Sequence, residues 1–187
     1  MNILLIDNYD SFTWNLHQLL QQAGAYAVRV VKNDEVTDED VANADALVFS
    51  PGPGLPWEAG AMKNIIKRYS EKKKMLGVCL GHQAIGEVFG TKTVPADKIY
   101  HGEQTELQFV TDDILFVDIP SNALVGRYHS WVIDKATFPD TLEITAVDKE
   151  GVIMAMRHKT LDIRGVQFHP ESIMTPAGLQ MMKNWLK

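Results

Sequence analysis

The chain has 187 residues, 45% hydrophobic and 22% charged, the balance of an ordinary soluble globular protein able to bury a full core in one compact domain. Its formal net charge of −6 argues against a nucleic-acid binder, which would show a basic stripe. A single cysteine excludes an internal disulfide framework and fits a reducing cytoplasm.

Met1 to Asp7 meets an acidic residue too soon for a signal peptide, and no apolar stretch approaches the roughly 20 residues that span a bilayer. Cys and His are too few at metal-ligand spacings to suggest a zinc site, and no cofactor is expected.

Ile3-Leu4-Leu5-Ile6 is a short continuous apolar run, as expected of a strand covered on both faces. Phe12, Leu16, Leu19, Leu20 and Ala23 follow at helical spacing, with Asp10 or Ser11 as the expected cap and Gly24 as the stop. Tyr26 to Val31 predicts a second strand. Ala46 to Phe49 predicts a third, ending in the turn-rich Ser50-Pro51-Gly52-Pro53-Gly54. Met62, Ile65, Ile66 and Tyr69 mark a helix whose end carries the basic run from Lys67 to Lys74, expected to face water and complement the helix dipole. Met75 to Val78 predicts another buried strand, and Ala84, Ile85, Val88 and Phe89 the apolar face of the helix after it.

The second half changes character. Thr105 to Val110, Gly126 to Ile133, Leu142 to Val147, Val152 to Arg157 and Ile163 to Phe168 predict successive strands with few helices between them. Pro176 to Leu186 predicts a closing helix with Leu179, Met182 and Leu186 on one face. The expected fold class is α/β: a mostly parallel central sheet with helices on both faces and antiparallel additions on one side. No repeat or linker divides residues 1–187, so one domain is expected.

The most informative stretch is Gly77-Val78-Cys79-Leu80-Gly81-His82-Gln83. It follows an apolar strand and opens a helix, with glycines two positions either side of the cysteine. That is the spacing of a nucleophile elbow with Cys in place of Ser. The turn crowds the backbone, so glycine is needed where a Cβ would clash. It sets the sulfur beside unpaired helix amides, which favour the thiolate that attacks, and puts the Leu80 amide where an oxyanion would form. A buried structural cysteine is the bland alternative; the flanking glycines argue against it.

A thiolate needs a base and a group to orient that base. His169-Pro170-Glu171 offers both within three residues, and Pro170 restricts His169 to extended geometry. The imidazole is the candidate general base and acid, with Glu171 fixing its tautomer. Alone, His-Pro-Glu would suit a surface turn equally well. His82, at the start of the elbow helix, is expected to pack or cap, and His17 to have no chemical role.

Gly77 to Gln83 together with Gln167-Phe168-His169-Pro170-Glu171-Ser172 resembles the class I, or triad, glutamine amidotransferases. Asp7-Asn8-Tyr9-Asp10-Ser11-Phe12-Thr13, Ser50 to Gly54, Arg127-Tyr128-His129-Ser130 and Ile153 to Lys159 narrow the resemblance to anthranilate synthase component II and the glutaminase subunit of aminodeoxychorismate synthase. The resemblance implies a flavodoxin-like amidotransferase fold and a triad of Cys79, His169 and Glu171. It also implies that L-glutamine is held by Gly52, Pro53 and Gly54, by Leu80 and Gln83, and by Ser130 and Trp131. Gly54 then becomes the second candidate oxyanion donor, since a rigid Pro-Gly loop lets backbone amides approach a ligand. Gln83 stands one helical turn after Cys79, on the same side.

The implied partner is a chorismate-using synthase subunit that receives ammonia; no nucleic acid or membrane is expected. Anthranilate synthesis is the first expectation and aminodeoxychorismate synthesis the alternative. A stand-alone γ-glutamyl hydrolase or peptidase, and a catalytically silent scaffolding subunit, are the competing classes. Two positions depart from the family pattern: Glu103 after His101-Gly102, and Trp131 after the His-Ser pair.

Overall fold

The computed structural model describes residues 1–187. Its first half runs β1 (Asn2–Asp7), α1 (Thr13–Gln22), β2 (Ala27–Lys32), α2 (Asp38–Ala42), β3 (Ala46–Phe49), α3 (Met62–Tyr69), β4 (Lys74–Val78) and α4 (Leu80–Val88). The second half supplies β5 (Thr93–Pro95), β6 (Glu103–Glu106), β7 (Gln108–Phe109), β8 (Leu124–Arg127), β9 (Trp131–Ile133), β10 (Leu142–Val147), β11 (Ile153–His158), β12 (Ile163–Val166) and α5 (Gly178–Trp185).

Eight strands form one sheet in the order β2-β1-β3-β4-β12-β11-β10-β7. The first five are parallel; β11, β10 and β7 then alternate in direction as antiparallel additions along one side. This is the α/β architecture that the alternation of apolar runs and helical periodicities predicts. Side chains on β1 divide by parity: Ile3 and Leu5 join one core, Leu4 and Ile6 the other. On the first face Leu16 and Leu20 of α1 pack with Met181, Met182 and Trp185 of α5. On the second, Val41, Met62, Ile65, Ile66, Ala84 and Ile85 carry α2, α3 and α4. Each fully buried aliphatic side chain contributes about 1.5–3 kcal/mol, which is why short helices hold here despite modest propensity.

Several expectations are corrected. Thr105 to Val110 is not one strand: β6 pairs with β8 in a small separate sheet and β7 with β10, the chain changing sheets at buried Leu107. Gly126 to Ile133 is likewise two strands, β8 and β9, because Tyr128 to Ser130 turn aside between them. The cap of α1 is Phe12 without a side-chain bond; Asp10 accepts from the Phe12 amide instead. The closing helix buries Met181, Met182 and Trp185, leaving Leu179 and Leu186 half-buried. In the basic run, Lys73 donates to the carbonyls of Ala42 and Ala44 at the end of α2, a helix that weak periodicity concealed.

What matters for function is the central pair. β12, from late in the chain, lies parallel to β4 with Val166 opposite Val78. The residues after each strand, Cys79 and Gln167 to His169, therefore emerge side by side at one end of the sheet.

Candidate active site

Cys79 sits at the junction of β4 and α4 with φ 52° and ψ −100°, a conformation that costs a non-glycine residue on the order of 1–3 kcal/mol. Its amide donates to the Val166 carbonyl at 2.8 Å, tying the elbow to β12. The glycines exist for clearance. A Cβ on Gly77 would lie 2.4 Å from the Gly81 carbonyl, and one on Gly81 would lie 2.5 Å from the Phe49 carbonyl oxygen. The cysteine is 6% exposed, open to a small cavity rather than to bulk water.

His169 and Glu171 are buried nearby, and His169 Nδ1 bonds Glu171 Oε1 at 2.7 Å. The segment is anchored through its backbone: the His169 amide donates to the Gly126 carbonyl, and Thr175 Oγ1 donates to the His169 carbonyl at 2.6 Å. Phe12 and Tyr128 meet the imidazole in T-shaped contacts, with centroids 5.5 and 4.9 Å away. Burial disfavours the charged imidazole. The Cys79 sulfur and the Glu171 carboxylate outweigh that effect, holding the His169 pKa well above its ordinary value. No hydrogen bond joins Nε2 to the sulfur in this geometry, although the sulfur is near enough to favour the imidazolium.

The cavity holds about 190 Å³. Gly52, Pro53, Gly54, Leu80, Gln83, Ser130 and Trp131 all line it around Cys79, joined by Tyr128 and His129. His169 and Glu171 are not in the lining. The amides of Leu80 and Gly54 take no hydrogen bond within the protein and are free donors in the wall. Glu103 is elsewhere, paired with Lys98 at 2.6 Å, so only one of the two departures from the family pattern, Trp131, touches the cavity.

A family comparison decides what this arrangement belongs to: residues 4–187 match the family described as glutamine amidotransferase class-I. The chain is a class-I glutamine amidotransferase. It is 47% identical over 186 residues to aminodeoxychorismate synthase component 2 of Klebsiella aerogenes, covering 98% of each chain. It is 43% identical over 187 residues to aminodeoxychorismate/anthranilate synthase component 2 of Bacillus subtilis (strain 168), covering 99% of this chain and 95% of that one. It shares its fold with a crystallised glutamine amidotransferase of Thermotoga maritima, with TM-score 0.76 and 17% identity over all of this chain and 80% of the other.

Sequence reasoning passed over three polar groups that shape this amidotransferase's site. Asn8 donates through Nδ2 to the Ser50 carbonyl at 2.8 Å and accepts from Asn33 Nδ2 at 3.0 Å, all buried. The following loop passes so close that a Cβ on Gly52 would lie 2.6 Å from Asn8 Cβ. Asn8 thereby fixes the loop that carries Gly54. His129 accepts from Arg127 Nε at 3.1 Å through Nε2, so its Nδ1 carries the hydrogen and donates to the Trp131 carbonyl at 3.0 Å. Arg127 is fully buried, paired with Asp148 at 2.6 Å, its guanidinium 3.4 Å above the Tyr100 ring. Gln167 is the third: its Nε2 lies 3.6 Å from Cys79 Sγ. It lies just past the end of β12, where the chain bends at Gln167 and Phe168, so strand alternation gave no signal for it.

Proposed function

We propose that this amidotransferase hydrolyses L-glutamine to glutamate through a thioester on Cys79 and hands the ammonia to a chorismate-using synthase, its component I partner. The observation that carries the reading is the joint placement of a strained, cavity-facing sulfur and a carboxylate-backed imidazole at adjacent strand ends. The cavity is below the roughly 300–1,000 Å³ of drug-sized pockets, which suits a free amino acid better than a γ-glutamyl peptide.

In this mechanism the Cys79 thiolate attacks the side-chain amide carbon of glutamine. The Leu80 and Gly54 amides stabilise the oxyanion; loss of one such donor typically costs about 2.7–4 kcal/mol. The His169 imidazolium gives its proton to the departing nitrogen and ammonia leaves. His169, now neutral, takes a proton from water, whose oxygen attacks the thioester. Glutamate departs and the thiolate returns. Glu171 keeps the imidazole oriented throughout. Residues 1–187 act as one amidotransferase domain, working in the cytoplasm; no helix of the chain is long and apolar enough to cross a membrane.

The relatives carry both pathway names; in this reading the synthase subunit sets the product. We expect Cys79→Ala to abolish glutamine hydrolysis with the synthase present. Co-purification of the synthase, followed by analysis of chorismate plus glutamine, distinguishes the ortho product of anthranilate synthesis from the para product of aminodeoxychorismate synthesis. Glutamine hydrolysis surviving in Cys79→Ala would refute the assignment.

A further inference from the structure

We propose that Gln167 is a further catalytic residue, whose side-chain N–H donates to the Cys79 sulfur and holds it as the thiolate until glutamine is attacked. The inference rests on the nucleophilic role given to Cys79 above. Gln167 is fully buried, and its Nε2 is 3.6 Å from Sγ, within reach of an atom as large as sulfur.

An amide side chain has a donor end and an acceptor end, so the proposal depends on which end faces the sulfur. The backbone forces the answer. The Trp131 carbonyl can only accept, and Gln83 meets it through Nε2 at 2.9 Å. The second hydrogen of that same nitrogen goes to Gln167 Oε1 at 3.1 Å. Turning Gln167 over would set two NH2 groups against each other and a carbonyl oxygen against a thiolate. The Trp131 carbonyl is itself held from the other side by His129, whose protonated Nδ1 follows from Arg127 donating to Nε2. Every link in the series has its direction set by a group that can only donate or only accept.

Gln167 also supplies something His169 cannot. The imidazole gains and loses a proton during each turnover, so its help to the sulfur is intermittent. The amide does not titrate, and its donor is present at every step. Gln167 and His169 are two residues apart in the segment that follows β12, so one stretch of chain carries both groups beside the sulfur.

Alkylation of Cys79 by iodoacetamide across pH 5–9, in the full chain and read by mass spectrometry, tests this. A hydrogen bond to a charged group is worth enough that Gln167→Met is expected to move the midpoint of alkylation up by about one to two pH units. Gln83→Met leaves the donor atom in place but unlocks its orientation, and is expected to move the midpoint up by less. It carries the test if Gln167→Met does not fold. His169 and Glu171 are intact in both variants. His169, the imidazole coupled to the sulfur, is common to all three proteins, and His82 and His129 are held near pKa 3 and stay neutral in this range, so the difference between variant and parent reads the amide. An unchanged midpoint in the folded variants, with Cys79 still the alkylated residue, overturns the inference and leaves the nucleophile standing. Glutamine hydrolysis by Cys79→Ala would instead remove the nucleophile.

Discussion

The side-chain amide of Asn8 donates to the Ser50 carbonyl at 2.8 Å while its backbone amide donates to the Ser50 hydroxyl at 2.9 Å. Two loops that follow separate strands are thus fastened together, and the candidate oxyanion donor Gly54 hangs from the second. Asn8→Ala leaves buried Ser50 and Asn33 groups unpaired, at about 1–3 kcal/mol each. Urea unfolding is expected to show that loss. Glutaminase kcat is expected to fall by about tenfold or more with a smaller change in KM, as the oxyanion role proposed for Gly54 requires. A kcat at the wild-type level would disprove the link between the two loops.

Gly77 and Gly151 should behave oppositely when given a methyl group. Gly77→Ala pushes a Cβ to 2.4 Å from the Gly81 backbone, which cannot move without disrupting α4; the elbow should fail and the protein express poorly. Gly151 has φ +82° but nothing within 4 Å of an added Cβ, so Gly151→Ala should cost only about 1–2 kcal/mol and leave activity intact. Thermal melts and glutamine hydrolysis of the pair provide the check.

Two histidines make the fold sensitive to acid. Burial lowers His82 to about 3; burial and then the Arg127 charge lower His129 to about 3. In the unfolded chain each binds a proton near pH 6.5. Below that pH the unfolded state holds more protons than the native one, so stability falls as pH drops from about 6.5 towards 3. Each histidine contributes a slope of about 1.4 kcal/mol per pH unit. Urea midpoints at pH 7, 6, 5 and 4 should decline accordingly, and His82→Leu should decline less steeply by one proton. Equal slopes would mean His82 is not held neutral.

Arg127 and Asp148 are both fully buried and paired at 2.6 Å. Asp148→Asn strands a buried guanidinium and should destabilise the fold by about 3–5 kcal/mol. Because Arg127 also sets the hydrogen on His129, and through it the Trp131 carbonyl, the glutamine KM should rise more than kcat falls. Steady-state kinetics on the folded fraction separates these effects.

Much of this molecule could be read from residue order. The parallel core was legible because Ile3 to Ile6, Ala46 to Phe49 and Met75 to Val78 are apolar throughout, a pattern that only a doubly covered strand needs. The elbow was legible because steric crowding admits so few residues at positions 77 and 81. The split of Thr105 to Val110 was not, because a chain moving between two sheets keeps its extended backbone and its apolar residue, Leu107, on either side of the change. Gln167, His129 and Asn8 escaped for another reason. Their value lies in hydrogen bonds to residues between 2 and 88 positions away, and amide and imidazole side chains carry no periodicity that announces such partners.

The position of β12 carries a consequence for how the protein comes into being. Until that late segment emerges during synthesis, β4 has one open edge, and the cysteine at its tip has neither the Val166 carbonyl that anchors it nor the imidazole that lies beside it. A nascent chain therefore carries a thiol without machinery and an apolar edge able to pair with the wrong neighbour. The candidate site is in this way assembled only in molecules whose translation has passed Glu171.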